Sequence, residues 1–65
     1  ENVEWVEMIN GLDEKYRLVM ILYYVNGLNT TEISSTLHIP VSTVRTRLSR
    51  GRKQMALLYA EEKRK

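Results

Sequence analysis

Apolar side chains recur along this chain at helical spacing, and no stretch alternates as a half-buried strand would. Val3, Val6 and Ile9 lie three apart with Trp5 and Met8 beside them, and Asn10-Gly11 follows as a stop signal. This predicts a short first helix. Leu12, Tyr16, Val19 and Tyr23 form a second stripe, broadened by Leu18, Ile21, Leu22 and Val25. The run from Leu18 to Val25 would pass for a buried strand if read alone. Its stripe begins well before it, however, and Asn26-Gly27 closes it like a helix end. The pattern predicts a helix from about Asp13 to Asn26, apolar on most sides and central to the fold. Asp13 and Glu14 at its start suit the positive end of the helix dipole.

Asn29, with Glu32 three residues on, has the arrangement of a capping box. Ile33 and Leu37 then lie four apart, which predicts a short helix over about Thr30 to Leu37. His38-Ile39-Pro40 ends it, because the residue before a proline avoids the helical region. The next helix has Ser42 as a candidate cap, or Pro40 as a first helical residue, and runs to about Glu62. Val44, Leu48, Gly51, Met55 and Leu58 fall within one narrow arc of it. Gly51 is the one interruption, worth about 1 kcal/mol against Ala in a helix interior. The closing Glu61 to Lys65 reads as solvated and frayed. Three helix-length stripes and a capped short helix predict an all-α fold, a small bundle of about four helices.

Length and composition narrow the options. A chain of 65 residues is one small domain with a thin core. It has no cysteine and one histidine, which removes disulfides and a zinc site as staples. The lack of cysteine fits a reducing cytoplasm. The longest apolar run is far short of the ~18 residues that span a bilayer. The acidic, amphipathic start is unlike a signal peptide, and the chain opens without Met, as a piece of a longer one would.

Charge changes the picture more. Residues 1–40 carry two basic and six acidic side chains; residues 41–65 carry eight basic and two acidic. No acid occurs from Pro40 to Ala60. Such asymmetry points to an anionic partner for the last third: nucleic acid, a membrane surface or an acidic protein. A short helix, a turn of about four residues and a basic helix describe a helix-turn-helix over about residues 30–55. At about 100° per residue, with Val44 at zero, Leu48 and Met55 stay within about 40°. Thr46, Ser49 and Lys53 fall on the opposite face, Arg45 and Arg52 on one shoulder and Arg50 nearer the other. Small hydroxyls flanked by arginines suit a major groove, where Arg reads guanine edges and Ser or Thr pairs with several bases. Flanking Arg and Lys grip phosphates. Arg47 lies closer to the core side and reads as an ion-pair partner, with Glu32 the candidate. A basic helical face is by itself commonly only a solvated surface; the turn and the capped preceding helix favour DNA.

Leu12 to Met55, "LDEKYRLVMILYYVNGLNTTEISSTLHIPVSTVRTRLSRGRKQM", resembles the C-terminal, region-four domain of bacterial RNA polymerase sigma factors. Within these it is most similar to the extracytoplasmic-function group. "IPVSTVRTRLSRGRK" is the most specific part. The resemblance implies that residues 1–65 form the C-terminal part of a longer cytoplasmic chain. It also implies binding of the upstream (−35) promoter element and docking on the β-subunit flap of RNA polymerase. By matching position, Thr46, Ser49 and Arg50 would meet base edges. Thr43, Arg45, Arg52 and Lys53 would meet the backbone. The sequence departs from the family pattern at Ser34 and Gly51, where Ala is usual, and at His38, where Gly is usual. His38 then needs a left-handed or bridge conformation.

Other classes fit less well. Response-regulator output domains of the LuxR type also carry a helix-turn-helix ending in Thr-Val, but continue with a different pattern from Arg47 onward. A protein-interaction domain held by an anti-sigma factor is a further alternative. No nucleophile–base–acid set or phosphate-binding loop is present, so no catalytic, cofactor or metal site is expected. His38 reads as a turn residue. Trp5 and the tyrosines read as core or interface residues, and Met8, Met20 and Met55 as core fillers. The isolated domain is expected to be a monomer.

Overall fold

The computed structural model describes residues 3–64. The side chains of Val3 and of the charged tail from Glu62 lie outside the described residues, as does Lys65. Four α-helices follow one another: α1 (Val3–Ile9), α2 (Glu14–Met20), α3 (Thr30–Leu37) and α4 (Val41–Arg64). The described residues contain no strand. A π-helical turn, Ile21–Val25, continues α2 without a break.

The long α4 is the element on which α1, α2 and α3 all pack. Ile9, Leu12, Val19, Met20, Ile33, Val44, Leu48 and Met55 form the buried core. Of these, Val19, Ile33, Val44 and Leu48 are almost wholly enclosed, each stabilising by about 1.5–3 kcal/mol relative to an exposed position. The predicted α4 arc is thus the core face. The helix after Leu12 is less central than its composition suggested. Leu18 and Val25 are 41% and 64% exposed, because so short a chain has no element left to cover that side. The π-turn also alters the expected regular helix: Asn26 N–H bonds the carbonyl of Ile21, five residues back, at 3.0 Å. Gly27, at φ 75°, then turns the chain out towards α3.

The α1–α2 corner is held by Arg17. Its Nη1 donates to the carbonyl oxygens of Leu12, at 3.2 Å, and Asn10, at 3.5 Å. The capping box of α3 is complete. Asn29 Oδ1 accepts from Glu32 N–H, and Glu32 Oε1 accepts from Asn29 N–H, both at 2.8 Å.

Gly51 lies where α4 crosses α2. A Cβ there would stand 3.1 Å from both Cγ and Sδ of Met20 and 3.6 Å from Tyr16 Cβ. The glycine lets the two helices approach closely, at the expense of helix propensity.

Candidate nucleic-acid interface

The turn between α3 and α4 fixes how the basic helix is presented. His38 has φ 60° and ψ 44°, the left-handed conformation expected of it. Ser34 secures that turn. Its carbonyl accepts the N–H groups of both His38 and Ile39, and its hydroxyl donates to the Ile39 carbonyl. The two departures at Ser34 and His38 are therefore structurally joined: the hydroxyl at one ties down the strained turn at the other. α4 starts at Val41, with the Pro40 carbonyl accepting from Thr43 and Val44 N–H. Pro40 is thus the residue just before the helix rather than its first, and Ser42 lies one residue inside rather than at the cap. Proline's fixed φ and extended preceding residue place the start there.

From this start α4 exposes Arg45, Thr46, Ser49, Arg50, Arg52 and Lys53, while Thr43 is half-buried. These are the side chains that the sequence set opposite the core, and the structure brings them onto one helix surface. None of them faces an acid. Arg52 alone is engaged: its Nε donates to Tyr24 Oη at 2.6 Å. Its guanidinium lies 5.8 Å from the Tyr23 ring centroid and 5.7 Å from that of Tyr24. The two rings meet edge to face at 4.9 Å. Cation–π attraction at exposed sites contributes about 0.5–1 kcal/mol. The clamp joins residues 28 apart, and nothing in local spacing signals it.

Arg47 is not the ion-pair partner of Glu32 that its angle suggested. Glu32 is taken up by the capping box, and no ion pair joins the two among the described residues. Arg47 instead lines an open groove of about 310 Å³ with Lys15, Tyr16, Thr43, Thr46 and Arg50. Lys15 also lies 5.3 Å from the centroid of the Tyr16 ring. The sequence reading missed Lys15, which stands on α2 and reaches this surface only because α2 and α4 pack closely.

A second concavity is apolar. Trp5, Val6, Tyr24 and Val25 line a groove of about 370 Å³ between α1 and the π-turn. Trp5 is half-buried, as a core or interface residue would be. Among the described residues no group of three His, Cys, Asp or Glu is placed to hold a metal ion, and no helix is long and apolar enough to cross a membrane.

A capped short helix, a left-handed turn and a long helix with a basic, hydroxyl-bearing outer face define a DNA-binding domain of the helix-turn-helix class. The model of the family Sigma-70, region 4, matches residues 2–55, and the chain belongs to that family. Among curated proteins, the ECF RNA polymerase sigma factor SigW of Bacillus subtilis (strain 168) is 48% identical over 49 residues, covering 75% of this chain. The ECF RNA polymerase sigma factor SigE of Mycolicibacterium smegmatis (strain ATCC 700084 / mc(2)155) is 36% identical over 47 residues, covering 72%. These matches span only 26% and 18% of the two relatives. No solved structure matches the chain significantly. Region 4 of a sigma factor is a DNA-binding module of transcription initiation, not an enzyme.

Proposed function

We infer that this domain recognises the −35 promoter element and docks on RNA polymerase as part of an extracytoplasmic-function sigma factor in the bacterial cytoplasm. The observation that carries the reading is the outer face of α4, where Thr46, Ser49 and Arg50 are exposed side by side with basic residues around them. Thr46, Ser49 and Arg50 enter the major groove and meet base edges. Thr43, Arg45, Arg52 and Lys53 hold the flanking phosphates, which fixes register without reading sequence. Polymerase docking, on the flap of the β subunit, uses apolar surface that the fold leaves uncovered, such as the groove of Trp5, Val6, Tyr24 and Val25. The same surface suits an anti-sigma factor as a competing occupant. The isolated domain is a monomer and binds DNA weakly, because polymerase supplies the rest of the affinity.

The test is a mobility-shift titration on promoter and scrambled duplexes, with the chain alone and with core polymerase. Preference for the promoter duplex that strengthens when polymerase is added supports the reading. Equal binding to both duplexes in both conditions would overturn it.

A further inference from the structure

We propose that the groove between α2 and the first turns of α4 is a second seat for a DNA backbone phosphate, with Lys15 and Arg47 as its clamps. The proposal rests on the DNA-binding reading above and extends the footprint beyond the helix-turn-helix. Three cations, Lys15, Arg47 and Arg50, line one concave surface with no acid among its lining residues. Like charges gathered this way repel one another unless an anion lies between them. Neutral donors are also present: the hydroxyls of Tyr16, Ser42 and Thr43 line the same groove. Cations mixed with hydroxyls are the donor set that phosphate oxygens take in DNA complexes. The positive end of α4 opens beside them and adds to the field.

Two features make a DNA phosphate the occupant. The groove shares Thr46 and Arg50 with the outer face of α4, so a strand crossing that face passes its mouth. Arg47 is half-buried and has no carboxylate partner, so its charge is left for a ligand. Lys15, on α2, adds a contact from outside the turn motif. A backbone gripped from α2 on one flank and by Arg45, Arg52 and Lys53 on the other fixes the angle at which α4 enters the groove.

The experiment compares the 65-residue chain with Lys15→Gln, Arg47→Gln and the double variant, by fluorescence anisotropy on promoter and scrambled duplexes over a range of salt. Each single change weakens binding about three- to tenfold on both duplexes, and the double variant reduces the salt slope by about one. A duplex scanned with single methylphosphonate substitutions has one position that weakens the wild type but not the double variant. Circular dichroism checks folding, and Arg47→Lys, which keeps the charge, replaces Arg47→Gln if the latter unfolds. If the wild type binds duplex DNA but the double variant matches it in affinity and slope, the groove is not a phosphate seat. Loss confined to the promoter duplex would make these residues base readers and overturn the proposal. Inorganic phosphate binding at micromolar concentration, lost in the double variant without change in DNA affinity, would mark a free-anion site and also overturn it. If the wild type binds no duplex at any salt, the DNA-binding reading itself fails, a separate result.

Discussion

Tyr24 accepts a hydrogen bond from Arg52 at 2.6 Å, and through it the π-turn after α2 holds a basic side chain of α4. An exposed arginine normally samples many rotamers, and fixing it costs up to about 2 kcal/mol of side-chain entropy. The tyrosine pair meets part of that cost before any DNA arrives.

Arg52→Ala is therefore expected to weaken promoter and scrambled duplexes about equally and to lower the salt slope by about one. Tyr24→Phe keeps the ring and removes the hydroxyl. It should leave the slope intact while reducing affinity by less than the arginine change, since the charge remains but is no longer pre-set. Anisotropy titrations at several salt concentrations separate the two. A changed slope for Tyr24→Phe would mean that the phenol itself meets the nucleic acid.

Arg50 has a different role and a different signature. If its guanidinium pairs with a base edge, Arg50→Ala costs about 1–3 kcal/mol on the promoter duplex and little on scrambled DNA. Equal losses on both would show Arg50 to be a phosphate clamp.

The turn offers a stability test. His38→Gly removes the left-handed strain and should stabilise by about 1 kcal/mol. Ser34→Ala removes the hydroxyl that ties the turn and should cost about 0.5–1.5 kcal/mol. The cost should shrink in a His38→Gly background, where the turn no longer has to be held against strain. Thermal denaturation of the two single variants and the pair measures that coupling; strictly additive effects would show the two residues to be independent.

Gly51 sets helix propensity against close packing. Gly51→Ala should raise stability by a few tenths up to about 1 kcal/mol, because the neighbour it crowds is the flexible end of Met20. Gly51→Val should instead destabilise by about 1–3 kcal/mol, since a branched side chain cannot fit between Met20 and Tyr16. Urea unfolding monitored by circular dichroism distinguishes the signs.

What could be read from the sequence followed from how local the causes were. The bounds of α3 were legible because its start is written in Asn29 and Glu32 and its end in His38-Ile39-Pro40. The core face of α4 was legible from Val44, Leu48 and Met55, and the exposure of Arg45, Thr46, Ser49 and Arg50 followed from it. The Tyr24–Arg52 clamp was not legible, since its partners meet only through tertiary packing. The groove at Lys15 was hidden for the same reason: its depth depends on how close α2 and α4 come at Gly51. Arg47 was misjudged because Glu32, the acid that seemed available to it, serves its own helix start.

The π-turn has its own consequence for how this chain can vary. Five positions, Ile21–Val25, close a loop of backbone one residue wider than an α-turn. Swapping one apolar side chain for another there leaves that geometry alone. Deleting a single residue would restore an uninterrupted α-helix, yet everything after it would set off rotated by about 100°. Tyr24 would swing away from Arg52, and Asn29 would launch α3 in the wrong direction. In this segment it is the number of residues, more than their chemistry, that lineages of this domain are constrained to keep.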